Sequence, residues 1–321
     1  ALPHYQEFKK INLFFDERIV KHTSNGKEVI FFPYRPDEYG EIIENEGVIC
    51  YSDLMNNKGW ETSFAAIRKG DYLRAIPNDI NILGIKPKSL RNNGPNWGQY
   101  IAMSQAMDPE IKLVLFQGGA GSGKTLLAIA SAIAQKDIYK TIMVAHPMVH
   151  LEGKDNIGYL PGTLDDKMAP WRKPLDYTLR VIKEACRDKD RLLGLKKKKF
   201  EKKPTIVDNV ESNEGKLIFE SLDFIRGNTF PDTLLVIEDC QNLSSHQIKT
   251  VFTRAGEGTK IICTGDLGQI DDKTRLDQYS SGLAFAATTM RNHPMVAVMN
   301  FQETVRGLLA QLAEERMKIA A

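Results

Sequence analysis

Hydrophobic positions follow two different patterns along this chain. Up to about residue 82 they come in short aromatic and β-branched runs, Asn12–Phe15, Val29–Tyr34, Val48–Tyr51 and Tyr72–Ile76, broken by the turn formers Ser24-Asn25-Gly26 and Asn57-Lys58-Gly59. Runs of that length and punctuation predict strands, and so a small β-rich N-terminal domain over residues 1–82. From Ile111 onward, apolar runs recur at Lys112–Gln117, Thr141–Ala145, Leu234–Glu238, Lys260–Thr264 and Val296–Phe301, with helical segments between them. That alternation predicts an α/β domain over residues 83–321, built on a parallel sheet covered on both faces. The join between the two, ILGIKPKSLRNNGPN at Ile82–Asn96, is a Pro- and Gly-punctuated linker leading into a helix over Trp97–Met107.

Composition narrows the class. The chain has 321 residues, enough for one large or two ordinary domains with buried cores. Its formal charge of +2 is close to neutral, so any affinity for nucleic acid must come from local patches. Cys50, Cys186, Cys240 and Cys263 have neither metal-ligand nor disulfide-framework spacing, which points to reduced, core-type thiols and a cytoplasmic protein. No stretch approaches the roughly 18 apolar residues of a membrane span, and the N-terminus lacks the apolar core of a signal peptide. The first residue is Ala1, which reads as a processed or trimmed start.

The chemistry concentrates at Gly118–Thr125, GGAGSGKT, which follows the apolar run Ile111–Phe116 and precedes the helical run Leu126–Ala134. It matches G-x-x-x-x-G-K-[ST] in the strand, loop, helix context that phosphate binding needs. Glycines let the backbone N–H groups of Gly118, Gly119, Ala120, Gly121, Ser122 and Gly123 converge on a polyphosphate. The helix N-terminus adds positive potential, Lys124 reaches the outer phosphates and the Thr125 hydroxyl can hold Mg²⁺. A glycine-rich turn that binds nothing is the bland alternative. The apolar run Leu234–Ile237 ends in Glu238 and Asp239, acids placed to hold a Mg²⁺ water shell and polarise an attacking water. Ser244 or Ser245 can cap the helix that follows, which presents Ile248, Val251 and Phe252 inward, carries Arg254 near its end and stops at Gly256. The next strand delivers Asp266 and then Gln269, either a γ-phosphate sensor or a turn residue. Asn96 and Gln99 begin the helix before the phosphate loop. A Gln there can read an adenine edge, and an N-cap Asn with a surface Gln fits the same spacing.

Together GGAGSGKT, NIGYLPGTLDDKMAPW (Asn156–Trp171), FIRGNTF (Phe224–Phe230), IEDCQN, TRAGEGTK (Thr253–Lys260) and TGDLGQID (Thr264–Asp271) resemble the PhoH-like family of ATPases over residues 83–321. The match is closest to the ATPase half of members that carry an N-terminal PIN nuclease, and residues 1–82 resemble the β-rich connector between the two. No Asp cluster near the start offers a two-metal nuclease site. The resemblance implies a single RecA-like core related to superfamily 1 helicases, using ATP and Mg²⁺ and acting on single-stranded nucleic acid, chiefly RNA, with DNA left open. It also implies adenine reading by Asn96 and Gln99, a γ-phosphate sensor at Gln269 and a C-terminal arginine at Arg306. Two positions depart from the family. The acids stand in the order Glu238-Asp239 where the family has Asp-Glu, a shift of roughly an ångström that can cost about a hundredfold in rate. His146 stands where the family usually has Arg, in a loop expected to meet phosphate or nucleic acid; a packing role fits it as well.

About 50 residues follow Asp271, too few for a second RecA-like domain. The expectation is therefore a homo-oligomeric ring, a hexamer in the first place, or an ATP-controlled clamp. Arg254, Arg306 and Arg226 are the candidates to complete a neighbour's site, Arg226 and Arg254 being candidates for nucleic acid as well, with Arg306 opening an amphipathic segment that carries Leu308, Leu309 and Leu312. Polymer-binding candidates lie in the insertion Leu151–Lys203: Lys154 before Tyr159, then Trp171, Arg172 and Lys173, an aromatic beside two cations. The run Lys196–Lys199 with Lys202 and Lys203 is either a nucleic-acid patch or a solvated loop. In the N-terminal part, Trp60, Lys21, Arg68 and Lys69 either face nucleic acid or are ordinary surface and edge residues. Three functions stand side by side: an ATP-driven motor or remodeller, a slowly hydrolysing nucleotide-dependent switch, and a small-molecule phosphotransferase.

Overall fold

The computed structural model describes residues 8–13, 18–22, 28–55, 61–90, 94–147, 164–192, 217–225, 227–271 and 276–303. The first sheet contains β1 (Lys10–Leu13), β2 (Ile19–His22), β3 (Glu28–Pro33), β4 (Gly47–Met55), β5 (Glu61–Lys69) and β6 (Tyr72–Ala75), with a single helical turn, α1 (Pro36–Tyr39), between β3 and β4. Its order is β1-β4-β5-β6-β3-β2, with β1 parallel to β4 and the other neighbours antiparallel. The hydrophobic pattern anticipated four of these strands. It missed β2 and β5, because IVKH is short and ETSFAAIRK hides its alternation behind Thr, Ser and two alanines.

The second sheet is all parallel. Its helices and strands run α2 (Trp97–Met107), β7 (Leu113–Gly118), α3 (Lys124–Ala134), β8 (Thr141–His146), α4 (Leu164–Leu192), β9 (Leu217–Ser221), α5 (Leu222–Ile225), β10 (Thr233–Ile237), α6 (Ser245–Phe252), β11 (Lys260–Gly265), α7 (Gly282–Met290) and β12 (Val296–Phe301). The strand order is β12-β7-β11-β10-β8-β9. Five strands and the bounds of α2 follow the sequence expectation. The sixth, β9, corrects it: only its last residue is buried, so its apolar signal is weak. In contrast β7, β10 and β11 are buried at every position, as strands covered on both faces must be. One face packs on α2, α3 and α4 through residues such as Phe116, Ile129 and Ile182; the other packs on α6 and α7 through Leu235, Ile248 and Leu283. Of the two capping serines, Ser244 serves α6, in a capping box with Gln247.

The two sheets meet on α2. Ala65 and Ile67 of β5, with Ile76, Ile82 and Ile85, join the same core as Ile101 and Met103 of α2. Gly47 lets the chain approach this closely, since a Cβ there would come within 2.5 Å of Ile101. Buried charge fixes the register. Asp108, at the end of α2, pairs with Lys69 at 2.9 Å and Arg74 at 2.8 Å. Burial pushes its carboxyl up, but Arg74 and Lys69 outweigh that and hold it below the usual range. From the opposite side Lys260 donates to the carbonyls of Ala106 and Asp108, at 2.5 and 2.8 Å, and burial pushes its amine down to about 7. Lys69 therefore faces α2, and Arg68 turns inward to the Ile42 carbonyl with its guanidinium over Tyr34. Trp60 and the turns at 24–26 and 57–59 lie outside the described residues.

Asn45 completes the joint. It is fully buried in a left-handed conformation (φ 62°), donates from Nδ2 to the carbonyls of Pro294 and Val296 at 2.9 and 3.0 Å, and accepts from Gln105 through its own carbonyl. Asn45→Ala removes two buried hydrogen bonds and forces a Cβ-bearing residue with no local hydrogen bond into that conformation. The expected loss is about 3 kcal/mol. Asn45→Gly is expected to lose less, because glycine adopts the conformation freely. Thermal or urea denaturation of both variants tests the ranking, and equal losses would refute the backbone part of it.

Candidate nucleotide site

The phosphate loop joins β7 to α3 at the C-terminal end of the parallel sheet. Gly123 caps α3 at φ 94°, a conformation glycine takes without strain, and a Cβ there would lie 3.0 Å from Gln99 Nε2. The Lys124 ammonium lies over the loop, donating to the carbonyls of Gly118 and Gly119 at 2.5 and 2.8 Å. Ser122 is buried, and its carbonyl accepts from Gln99 Nε2 at 2.9 Å. The same Gln99 accepts through Oε1 from the Lys88 N–H at 2.8 Å, so its amide clamps the linker to the loop. Asn96 caps α2 by accepting from the Gln99 N–H at 3.2 Å, and its own amide nitrogen is buried with no hydrogen-bond partner among the described residues. A cleft of about 340 Å³ opens in front, lined by Ala120, Gly121, Gly123, Lys124, Thr125, Leu126, Thr178, Asp239, Thr264, Gly265, Asp266 and Gln269.

Strand register sets the acids. β10 pairs with β8 through Ile237 and Ala145, so Glu238, just past β10, and His146, the last residue of β8, stand at the same C-terminal end of the sheet. Glu238 is 8% exposed and hydrogen-bonds the Thr125 side chain. Burial, then the neighbouring Asp239, pushes its carboxyl up to about 7. Asp239 takes a left-handed conformation (φ 48°), which turns its side chain out to 51% exposure at the cleft. His146 Nδ1 lies 3.7 Å from Asp239 Oδ2. Burial holds the imidazole below its usual value against the opposing pull of Asp239 and Asp271, so it is neutral at pH 7. The histidine thus stands at the rim of the acid pair.

Gln241, which the motif reading passed over, ties the two central strands together. It accepts from the Asp266 N–H at 3.1 Å and donates to the Gln269 carbonyl at 3.1 Å and to Asp239 Oδ1 at 3.3 Å. Its one sequence signal is a polar residue two positions past the acid pair. Asp266 accepts from the Gly268 N–H at 2.9 Å, and the Gln269 N–H donates back to the Asp266 carbonyl, which holds the exposed Gln269 side chain at the cleft. Thr178 and Leu126 are further lining residues without a motif signal.

The remaining candidates are dispersed. Arg254 follows α6, and its carbonyl accepts from the Phe230 N–H just before β10, at the sheet end opposite the cleft. Arg172 is exposed on α4, 3.9 Å from Asp176. Trp171 falls in α4, its side chain outside the described residues. Lys154, Tyr159, Arg226, Arg306, the leucines at 308, 309 and 312, and the lysines between 196 and 203 also lie outside them. All four cysteines are buried and none is in a disulfide. No described helix is long and apolar enough to cross a membrane.

Hard oxygens suit Mg²⁺, and the Thr125 hydroxyl with the Glu238 carboxylate forms such a pair where the loop meets β10. Among known proteins, the family described as PhoH-like protein matches residues 93–318. The protein PhoH2 of Bacillus subtilis is 36% identical over 245 residues, 75% of this chain and 50% of that protein. PhoH2 of Thermobispora bispora is 25% identical over 281 residues, 87% of this chain and 58% of that protein. The chain thus spans about half the length of the curated relatives it matches. Among solved structures, the Pif1 helicase from Candida albicans superposes with a TM-score of 0.32 at 14% identity, covering 68% of this chain and 42% of that one. With the phosphate loop, Asp239 and Gln269 gathered at one cleft and the family match spanning that whole region, the chain belongs to the PhoH-like protein family.

Proposed function

We propose that the chain binds ATP with Mg²⁺, hydrolyses it and acts on single-stranded nucleic acid, RNA in the first place, as a helicase or remodeller working in a ring. What supports this is the meeting of Lys124, the Thr125–Glu238 pair, Asp239 and Gln269 at one cleft at the C-terminal strand ends. In this reading the backbone N–H groups of Gly118 to Thr125 cradle the phosphates, and Lys124 exchanges the loop carbonyls for phosphate oxygens. Thr125 and Glu238 would hold Mg²⁺, which would neutralise phosphate charge when bound. Asp239 orients the attacking water and takes its proton, and Gln269 reports γ-phosphate occupancy through its link to Gln241. Asn96 and Gln99 face the adenine edge, Gln99 giving up Lys88 for the base. Residues 1–82 and 83–321 serve as accessory and ATPase domains. Arg254, away from its own cleft, completes a neighbour's together with Arg306 or Arg226. Four buried cysteines outside any disulfide favour a reducing, cytoplasmic setting.

A slowly hydrolysing switch is the second reading, favoured by the acid order. The longer acid lies at the Thr125 hydroxyl and the shorter one reaches for the water, which leaves the base short of its proton.

Steady-state hydrolysis without polymer, with single-stranded RNA and with single-stranded DNA separates the readings. Polymer-stimulated activity in the wild type that vanishes in Lys124→Ala is expected; intact ATP binding without stimulation would leave the switch. Exchanging the acids, Glu238→Asp with Asp239→Glu, is expected to raise the rate, by up to about a hundredfold if misplacement is the whole cause. A rate no higher than the wild type would dismiss the acid order as the cause. A carboxyl raised to about 7 is protonated below that pH, so a proton competes with the cation at Glu238. Mg²⁺-dependent binding of a fluorescent ATP analogue is therefore expected to be about tenfold weaker at pH 6 than at pH 8. Glu238→Gln should remove this dependence. Equal affinities at the two pH values would exclude Glu238 as the metal ligand.

A further inference from the structure

Helix α4 carries a pattern that the nucleotide cleft does not use. Leu175, Leu179, Ile182 and Cys186 form its buried face, in the core shared with α3. At 3.6 residues per turn, Lys173, Tyr177 and Arg180 then fall at i, i+4 and i+7, one stripe on an outer face. All three are exposed, Tyr177 at 66%. Neither Lys173 nor Arg180 forms an ion pair with another described residue. Beside them Arg172 is engaged by Asp176, and the exposed Glu184, one turn past Arg180, ends the stripe.

An exposed tyrosine alone is ordinary. Here it stands between two cations on one helix face, and the next residue, Thr178, lines the nucleotide cleft with Lys124, Thr125 and Asp239. A ring face flanked by cations suits an unpaired base with its phosphates: the ring stacks the base, and each cation displaces counterions from the backbone. An acidic protein surface would use the cations but leave the ring face idle.

The geometry points to α4 as the element that joins polymer to nucleotide, with Lys173, Tyr177 and Arg180 binding a single strand while Thr178 of the same turn borders the cleft. A base stacks on Tyr177, and phosphates lie at Lys173 and Arg180. Any turn of α4 on strand binding moves Thr178 against the nucleotide. This rests on the polymer-directed reading above and adds the residues that carry it.

Fluorescence anisotropy of labelled single-stranded RNA and DNA at several salt concentrations tests the stripe in the full chain. Thermal melts would confirm that the variants, all at exposed positions, are folded. Tyr177→Ala is expected to weaken binding about 5- to 150-fold, the range of one stacked base, with Tyr177→Phe largely retaining it. Lys173→Ala combined with Arg180→Ala should reduce the slope of log affinity against log salt by about 1.4. Wild-type binding that Tyr177→Ala leaves intact would overturn the stripe while the polymer-directed function stands. So would a loss confined to the lysine and arginine changes, which would indicate an acidic partner instead. A wild-type chain that binds neither strand would overturn the function itself and the stripe with it.

Discussion

Two charged side chains buried at the end of one helix, Asp108 and Lys260, constrain how this molecule is put together. A carboxylate in that position needs cations, and the first sheet supplies Lys69 and Arg74. An amine there needs acceptors, and the last turn of α2 supplies the carbonyls of Ala106 and Asp108. Satisfying both at once leaves little freedom in how the first sheet, α2 and β11 lie together. Asn45 reinforces the arrangement by spanning from the first sheet to the segment that leads into β12. The opposite end of α2 then meets the phosphate loop through Gln99 and Ser122. A single helix thereby connects the N-terminal sheet to the nucleotide cleft.

At the cleft, adjacent acids occupy different environments although they are neighbours in sequence. Glu238 continues the line of a fully buried strand, so it is desolvated and finds the Thr125 hydroxyl. Asp239 is turned outward by its left-handed backbone and stays in contact with water. Two acids adjacent in sequence thus differ in environment, one desolvated with its pKa raised and the other facing water. His146, neutral through burial, adds a polar neighbour to Asp239 without adding a cation. Gln241 fixes the spacing between the ends of β10 and β11, so the acid pair and the Asp266–Gln269 turn are held as one unit.

Much of this was legible along the chain. The phosphate loop, five of the six parallel strands, the bounds of α2 and the acids at the strand ends were read from runs and spacings alone, while Asn96 stayed open between a helix cap and an adenine reader. The misses share a cause: β2, β5 and β9 are short or interrupted, and each is stabilised by neighbours rather than by its own apolar content. Lys69 and Arg68 looked like surface cations because nothing local marks the buried partners they turn toward.

The sequence by itself determined the parallel α/β core, the glycine-built loop and the acids that face it, because these depend on residues a few positions apart whose backbone preferences and hydrophobic periods act locally. Only the tertiary structure decided which distant polar groups meet. His146 reaches Asp239, Gln241 reaches Asp266, Thr178 reaches the cleft and Lys260 reaches the end of α2. These meetings follow from strand order, register and the buried charges that lock one layer on the next, and no local pattern encodes them.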